Sequence, residues 1–597
     1  MSDNTNNIQI QFKYLDIENC FKNFYVVPDY QREYVWGEAQ INQLLEDVYE
    51  EYDFNLNKEY FIGSTVVFKN NDGFYELIDG QQRTTSIFLI ICAFKKIYVE
   101  RGIDIDTIER MIKDKTVNSL GDSVDSYKLE LQYKDSSNIL VKIASNLERP
   151  ANLIGSAERL FNVYENINTF LKERFKDEED HTTLKKFFVY IYRKLKFIQI
   201  ETPEINDALK IFETINERGV GLNPMDLLKN LLFRQVERNE FNSLKDKWKS
   251  LVKLLESNNE KPLRFLRYFI MSNYKVNNQR GEEIIREEEI YKWFIKSENI
   301  AQCNYEKEPF EFVELLLENA TCYINFFKGL NKDGTKNVYL DNIVKLGGGA
   351  FKQHLILLLA GRNLSHDHFN FFAKQIETLI FYYFITKEAT KEFERNFSKW
   401  AKEVIKIKTQ EELINFIKKN IEPVIIAKEN EYKVRFLETR QNNLQQYRIR
   451  YILAKIAQYL DQERLGSYIP QVLDNYITKG VEIEHILPFN PALNLRDEIG
   501  EEYDDLKIRL GNLTLLEKTM NIVVSNDFFS KKILEYGKSP YYISKSISAL
   551  DSIGQNSSVT RLNHKLKSFD KWDKVSISER QELLYNLSKD IWKIECN

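Results

Sequence analysis

Val481-Glu482-Ile483-Glu484-His485-Ile486-Leu487-Pro488, then Gly511-Asn512-Leu513-Thr514-Leu515-Leu516 and Asn521, form the stretch on which the reading of this chain turns. Val481, Ile483 and Leu487 alternate with Glu482, Glu484 and Pro488, a period-two pattern that predicts a short strand with His485 near its end. Breaking a phosphodiester takes a base to deprotonate water, a cation beside the phosphate and a group that orients the base. His485 is the candidate base, because an imidazole with an ordinary pKa of about 6.5 accepts a proton near neutrality. Glu484 and Asn521 offer the oxygen ligands that Mg²⁺ or another hard divalent cation prefers, and two suffice because Mg²⁺ keeps several waters. Taken singly, a strand histidine is more often a core or surface residue, and a loop asparagine usually caps or turns the chain. The ordered set carries the expectation.

Together with Arg509-Leu510 ahead of Gly511 and a tail holding Trp572, Arg580 and Trp592, these residues resemble the C-terminal HNH (His-Me finger) domain of modification-dependent restriction proteins of the GmrSD type. The likeness covers roughly the last 150 residues. It implies a ββα-metal finger in which His485 is the general base, Asn512 orients it, and Asn521 and Glu484 hold the metal. The third position is Asn here rather than His, which leaves the metal role open without removing it.

A second constellation lies near the start. Tyr60 to Phe68 and Phe74 to Ile78 are short runs rich in apolar, aromatic and β-branched residues. Asp79-Gly80 then punctuates the chain before Gln81-Gln82-Arg83-Thr84-Thr85 opens an apolar segment through Phe94. Strands, a turn and a helix are predicted. A helix start after Gly80 offers backbone N–H groups and the positive dipole end, and Arg83 adds a fork suited to phosphate oxygens. Neither a Walker loop nor the dinucleotide glycine pattern is present. The simpler reading makes Asp79-Gly80 a turn, Arg83 a solvated residue and the aromatics around Tyr34 core.

Val27 to Trp36 precedes this motif, and Phe212-Glu213-Thr214-Ile215-Asn216-Glu217-Arg218-Gly219 follows it, leading to a helix start marked by Asn223 and Pro224. All three pieces resemble the N-terminal ParB/sulfiredoxin-like domain of the same GmrSD-type family. The resemblance implies nucleoside triphosphate (NTP) binding and hydrolysis at Asp79, Gly80, Gln81, Gln82 and Arg83, with Tyr30, Gln31, Arg32, Asn216 and Arg218 contributing.

A hydrophobic share of 43% in 597 residues is ample for several folded cores, and 13% aromatics with only 22 Gly and 11 Pro argue for an element-rich, mostly helical α+β protein. Five scattered cysteines, Cys20, Cys92, Cys303, Cys322 and Cys596, lack a Cys-x-x-Cys pair, so a disulfide scaffold or zinc ribbon is not expected. The polar stretch Met1 to Gln11 has no signal-peptide layout, and the apolar runs Thr84 to Phe94 and Thr378 to Thr386 fall short of the roughly 20 residues that span a bilayer. Buried helices, no membrane partner and a cytoplasmic location are expected. Net charge is −5, with acids in surplus over 481–530 and bases over 531–580. Lys531, Lys532, Lys538, Lys545, Arg561, Lys565 and Lys567 are candidate contacts to DNA phosphates, although charge runs on helices are usually solvated faces.

Between these ends, Phe372, Ile376, Leu379 and Tyr383 recur at helical spacing, and His366 and His368 around Asp367 read as a polar turn and cap rather than a metal site. The expected organisation is three parts: a nucleotide-handling domain at 10–235, a helical middle at 236–440 and an HNH endonuclease domain at 441–597. By resemblance, the chain cuts double-stranded, modified phage DNA under NTP control, alone, as a homo-oligomer or with a defence partner. Two rivals stay open. One is a nucleotide-responsive DNA-binding regulator with an inactive HNH-like fold, and the other is an NTPase-driven abortive-infection effector acting on another polymer.

Overall fold

The computed structural model describes residues 10–28, 31, 33–70, 73–117, 122–133, 136–176, 181–216, 224–237, 240–276, 283–466, 472–491, 495–496, 499–552 and 557–595. The protein is mostly helical with a small mixed sheet, as an α+β chain should be. It divides into two compact units where three parts were expected: Met1–Lys249 with Tyr291–Val313, and Ser250–Ile290 with Glu314–Asn597.

In the first unit the strands are β1 (Gln11–Asp16), β2 (Tyr25–Val27), β3 (Tyr60–Lys69), β4 (Tyr75–Asp79), β5 (Lys113–Val117), β6 (Ser123–Tyr127), β7 (Leu129–Leu131) and β8 (Leu195–Thr202). Six of them form one mixed sheet in the order β1-β8-β3-β4-β2-β7, while β5 and β6 pair separately. The short apolar and β-branched runs from Tyr60 and Phe74 therefore became β3 and β4, antiparallel neighbours. The helix Gln81–Glu100 follows at once and is buried from Ile87 through Phe94, which explains why its sequence is apolar on every side rather than amphipathic. The aromatic wealth goes into this core. Tyr52 meets Phe187 at 5.1 Å between ring centroids, and Phe94 meets Phe188 at 5.3 Å. Pro224 opens the helix Pro224–Phe233 as expected, while its cap Asn223 lies outside the described residues.

The second unit is a set of packed helices around one antiparallel pair, β9 (Val481–His485) with β10 (Leu513–Glu517), in which His485 faces Leu513 and Glu484 faces Thr514. The helix Lys518–Val524 follows β10 directly. Phe372, Ile376, Leu379 and Tyr383 lie buried on the helix His366–Ile385, which Ser365 caps by accepting from the His368 N–H. His366 spends both ring nitrogens on Asn331 and Asn370. Around residue 440, Gln441 N donates to Ile508 O and Leu510 N to Thr439 O. Cys20, Cys92, Cys303 and Cys322 are free and buried, and Cys596 lies outside the described residues. Among the described residues no helix is long and apolar enough to cross a membrane.

Candidate active site and nucleotide cleft

In the first unit Asp79 ends β4 and Gly80, at φ +85°, caps the following helix. A Cβ at Gly80 would stand 2.5 Å from Thr65 Cγ2, so close approach as well as the left-handed backbone demands glycine. Gln82 is buried. Its Oε1 accepts from Val35 N at 2.8 Å and its Nε2 donates to Glu33 O at 3.1 Å. With Tyr34 OH 2.7 Å from Ser86 Oγ, the motif staples the 33–36 segment to the helix start.

Arg83 departs from expectation. Its guanidinium donates to Ser64 O at 2.6 Å and Ile62 O at 3.4 Å and lies 3.9 Å from Asp79, so the fork grips the irregular register of β3 instead of standing free for phosphate. Gly63, at φ +112°, makes the room, since a Cβ there would lie 2.3 Å from Arg83 Nη1. Burial pushes the Asp79 carboxyl up, against the pull of Arg83. Cys20, Phe21, Ser64, Thr65, Arg83 and Thr84 line a narrow cleft with about 10 Å³ of free space, room for roughly one water molecule. Thr65 Oγ1 in this cleft and Gln31 Nε2 are buried without a partner among the described residues. Tyr30, Arg32, Arg218 and the Asn216 side chain lie outside the described residues.

In the second unit His485 ends β9 half-buried, its Nε2 2.8 Å from Gln441 Oε1. With an amide oxygen as partner, Nε2 carries the ring proton and Nδ1 keeps the lone pair. Burial, reinforced by Lys532 and Lys507, holds the imidazole down at about 4, so it is neutral at physiological pH. Phe489 meets the ring edge-on at 5.2 Å, with Lys507 Nζ 4.4 Å above the phenyl.

Asn512 is fully buried and reaches the segment after His485 only through the backbone. Its Oδ1 accepts from Leu487 N at 2.7 Å and Trp572 Nε1 at 2.8 Å, and its Nδ2 donates to Leu487 O and Lys507 O. These bonds fix the chain just after His485. The helix Lys574–Ile591 fixes the other side of the turn: Arg580 Nη1 donates to Gly511 O at 2.8 Å and Leu513 O at 2.7 Å, and Gln581 accepts from Gly511 N.

Neighbours on a strand leave it on opposite faces, and Glu484 accordingly has partners of its own. It is buried, with Lys532 Nζ at 2.6 Å and Tyr536 OH at 2.9 Å from the same carboxylate oxygen. Burial pushes the Glu484 carboxyl up, against the pull of Lys532. Asn521 donates its Nδ2 to Glu482 at 2.8 Å, while its Oδ1 is buried with no partner among the described residues. That open acceptor, in a set of oxygen donors without cysteine, fits a hard cation with a mostly water shell, and no cluster of three or more His, Cys, Asp or Glu able to hold a metal occurs among the described residues.

Within the basic patch Lys532 differs from the other lysines, whose ion pairs leave them exposed or partly exposed. Lys532 is wholly buried and cannot reach a DNA phosphate, because the Glu484 carboxylate draws its ammonium inward. Lys531, Lys538, Lys545, Lys565 and Lys567 are paired with Asp527, Glu535, Asp551, Asp590 and Glu579. Arg561 sits on the short helix Ser558–Asn563.

Gln441, Glu482, Lys507 and Tyr536 were not among the expected site residues, and their partnerships across the fold leave no local pattern to read. No curated protein matches the chain. The N-terminal domain of the GmrSD restriction endonucleases matches residues 14–233, and their C-terminal domain matches residues 426–587. The first match takes in the Asp79–Arg83 turn and the second the whole stretch from Gln441 to Arg580, in the family's own order; the chain belongs to the GmrSD restriction endonucleases, whose substrate is DNA.

Proposed function

We propose that this restriction endonuclease cuts modified foreign DNA by HNH-type chemistry, with a divalent cation, under NTP control through the cleft beside Asp79-Gly80. The neutral imidazole of His485, held by Gln441 with Nδ1 left basic, carries the reading. Nδ1 takes the proton of the attacking water, while Asn512 keeps the following backbone from drifting. A cation held by Asn521 and Glu484 would stabilise charge on the scissile phosphate. In the first unit the orphaned Thr65 hydroxyl and the helix start after Gly80 support a phosphate-binding role. The engaged Arg83 shapes that site rather than gripping the ligand.

The Lys532–Glu484 pair favours one second reading, a nucleotide-responsive DNA-binding regulator whose finger does not cut, since a ligand carboxylate is already neutralised. Cleavage of unmodified, glucosylated and phosphorothioate DNA, with and without Mg²⁺ and each NTP, decides between them. The wild type should cut one modified substrate with Mg²⁺, and His485→Ala should lose at least ~10²-fold of that rate. Cutting by His485→Ala at the wild-type rate ends the base assignment, and a wild type that binds but never cuts leaves the regulator.

A further inference from the structure

A lysine with no exposed side chain is uncommon, and this one stands where the candidate cation site would be weakened by it. Lys532 Nζ lies 2.6 Å from Glu484 Oε1 and 2.8 Å from the backbone carbonyl of His485, so one ammonium ties a candidate ligand to the main chain of the candidate base. Tyr536 OH donates to the same carboxylate oxygen, while Asn521 Oδ1 has no partner among the described residues. A buried ion pair of this kind adds little stability over an apolar pair of similar volume, whereas a buried carboxylate stripped of its only cation is strongly unfavourable. Stability alone therefore gives little reason for a lysine here. A need to keep Glu484 charged and correctly placed before a cation arrives gives a better one.

We propose that Lys532 is a positioning residue that stands in for the cation: its ammonium holds the Glu484 carboxylate and the His485 carbonyl in the metal-free protein, and the carboxylate passes to a divalent cation when one enters. The inference rests on the HNH reading above. Its consequence is competition, because a divalent cation and the ammonium would draw on one and the same carboxylate charge. Neutralising the lysine removes that competitor and leaves the carboxylate with the Tyr536 hydroxyl but without the ammonium's counter-charge.

The test is divalent-cation binding by the full-length protein, with Mn²⁺ followed by electron paramagnetic resonance and thermal unfolding measured with and without Mn²⁺. Lys532→Gln should bind Mn²⁺ at least about tenfold more tightly than the wild type, be less stable without the cation, and gain more in Tm when it is added. Tyr536→Phe, which removes a neutral hydrogen bond and keeps the ammonium, should bind like the wild type, and Asn521→Ala should bind more weakly than the wild type. Equal Mn²⁺ affinity and equal Tm gain in Lys532→Gln and wild type overturn the exchange. If Lys532→Gln is unfolded without cation, recovery of its helical circular dichroism on adding Mn²⁺ supports the proposal and no recovery overturns it. Mg²⁺-dependent cutting by the wild type together with unchanged affinity in the variant sinks the exchange alone, whereas a wild type that neither binds Mn²⁺ nor cuts sinks the nuclease reading with it.

Discussion

His485 is the side chain whose chemistry depends most on its surroundings. A solvated histidine in its place would be half protonated near pH 6.5 and would fail as a base below that. Burial and the nearby ammonium groups hold it at about 4, so the cleavage rate should stay level from pH 8 to about 5 and fall only as pH nears 4. Lys507→Gln removes one of the opposing charges and should move that acid limb upward. A limb at 6.5 in the wild type would mean that the imidazole is solvated in the working enzyme. The same shift has a cost in stability. The unfolded chain begins to bind this proton at about 6.5 and the folded chain only near 4, so stability is lost as pH falls between the two. Repeating urea titrations from pH 7 to 4.5 would show the loss.

Among elements, the helix Lys574–Ile591 governs the geometry of the turn that carries Asn512. Gly511 is pressed against it, and a Cβ there would lie 2.3 Å from Ile577 O and 3.0 Å from Gln581 N. Backbone cannot yield as a flexible side chain can. Gly511→Ala should therefore push the helix away, strain the Arg580 bonds, cost about 1–3 kcal/mol of stability and lower cleavage more than it lowers DNA binding. Wild-type cleavage and unfolding in this variant would show that the helix does not set the turn. Strands β3, β4 and β9 and the turn at Gly80 were legible in the sequence because they rest on local patterns: apolar and β-branched runs for β3 and β4, period-two alternation for β9, and a glycine between a strand run and a helix start. Asn512 and Trp572 were legible by family resemblance. The partners were not. Gln441 meets His485 across 44 residues, Lys532 is drawn inward by a carboxylate 48 residues away, and Arg83 turns to Ser64 because β3 is irregular at Gly63. Each of these depends on which elements the fold brings together, and a run of lysines reads as solvated until its counter-charge is placed.

For the whole molecule, the helical stretch ahead of residue 441 is part of the body that holds the finger. Trp592 stacks on Phe381 at 3.5 Å, Tyr432 OH lies 2.6 Å from Ser588 Oγ, and Gln581 donates to Phe436 O. A fragment of 441–597 would expose the faces of Trp592 and Tyr585 that these helices cover, and would cut the chain where Gln441 reaches His485. The aromatic burial lost would be worth several kcal/mol, at about 25 cal/mol per Å² and 150–250 Å² for each large ring, which is comparable to the whole stability of a domain. A fragment of 250–597 keeps that body and carries with it Tyr291–Val313 of the first unit. It should unfold in one cooperative transition and nick DNA with Mg²⁺, while 441–597 should show neither. Cooperative unfolding and nicking by 441–597 would mean that the finger carries its own core and that the helices before it only accompany it. Nicking by 250–597 with no response to any NTP would further place nucleotide control in the residues that the fragment lacks, those of the sheet that holds Asp79 and Gly80.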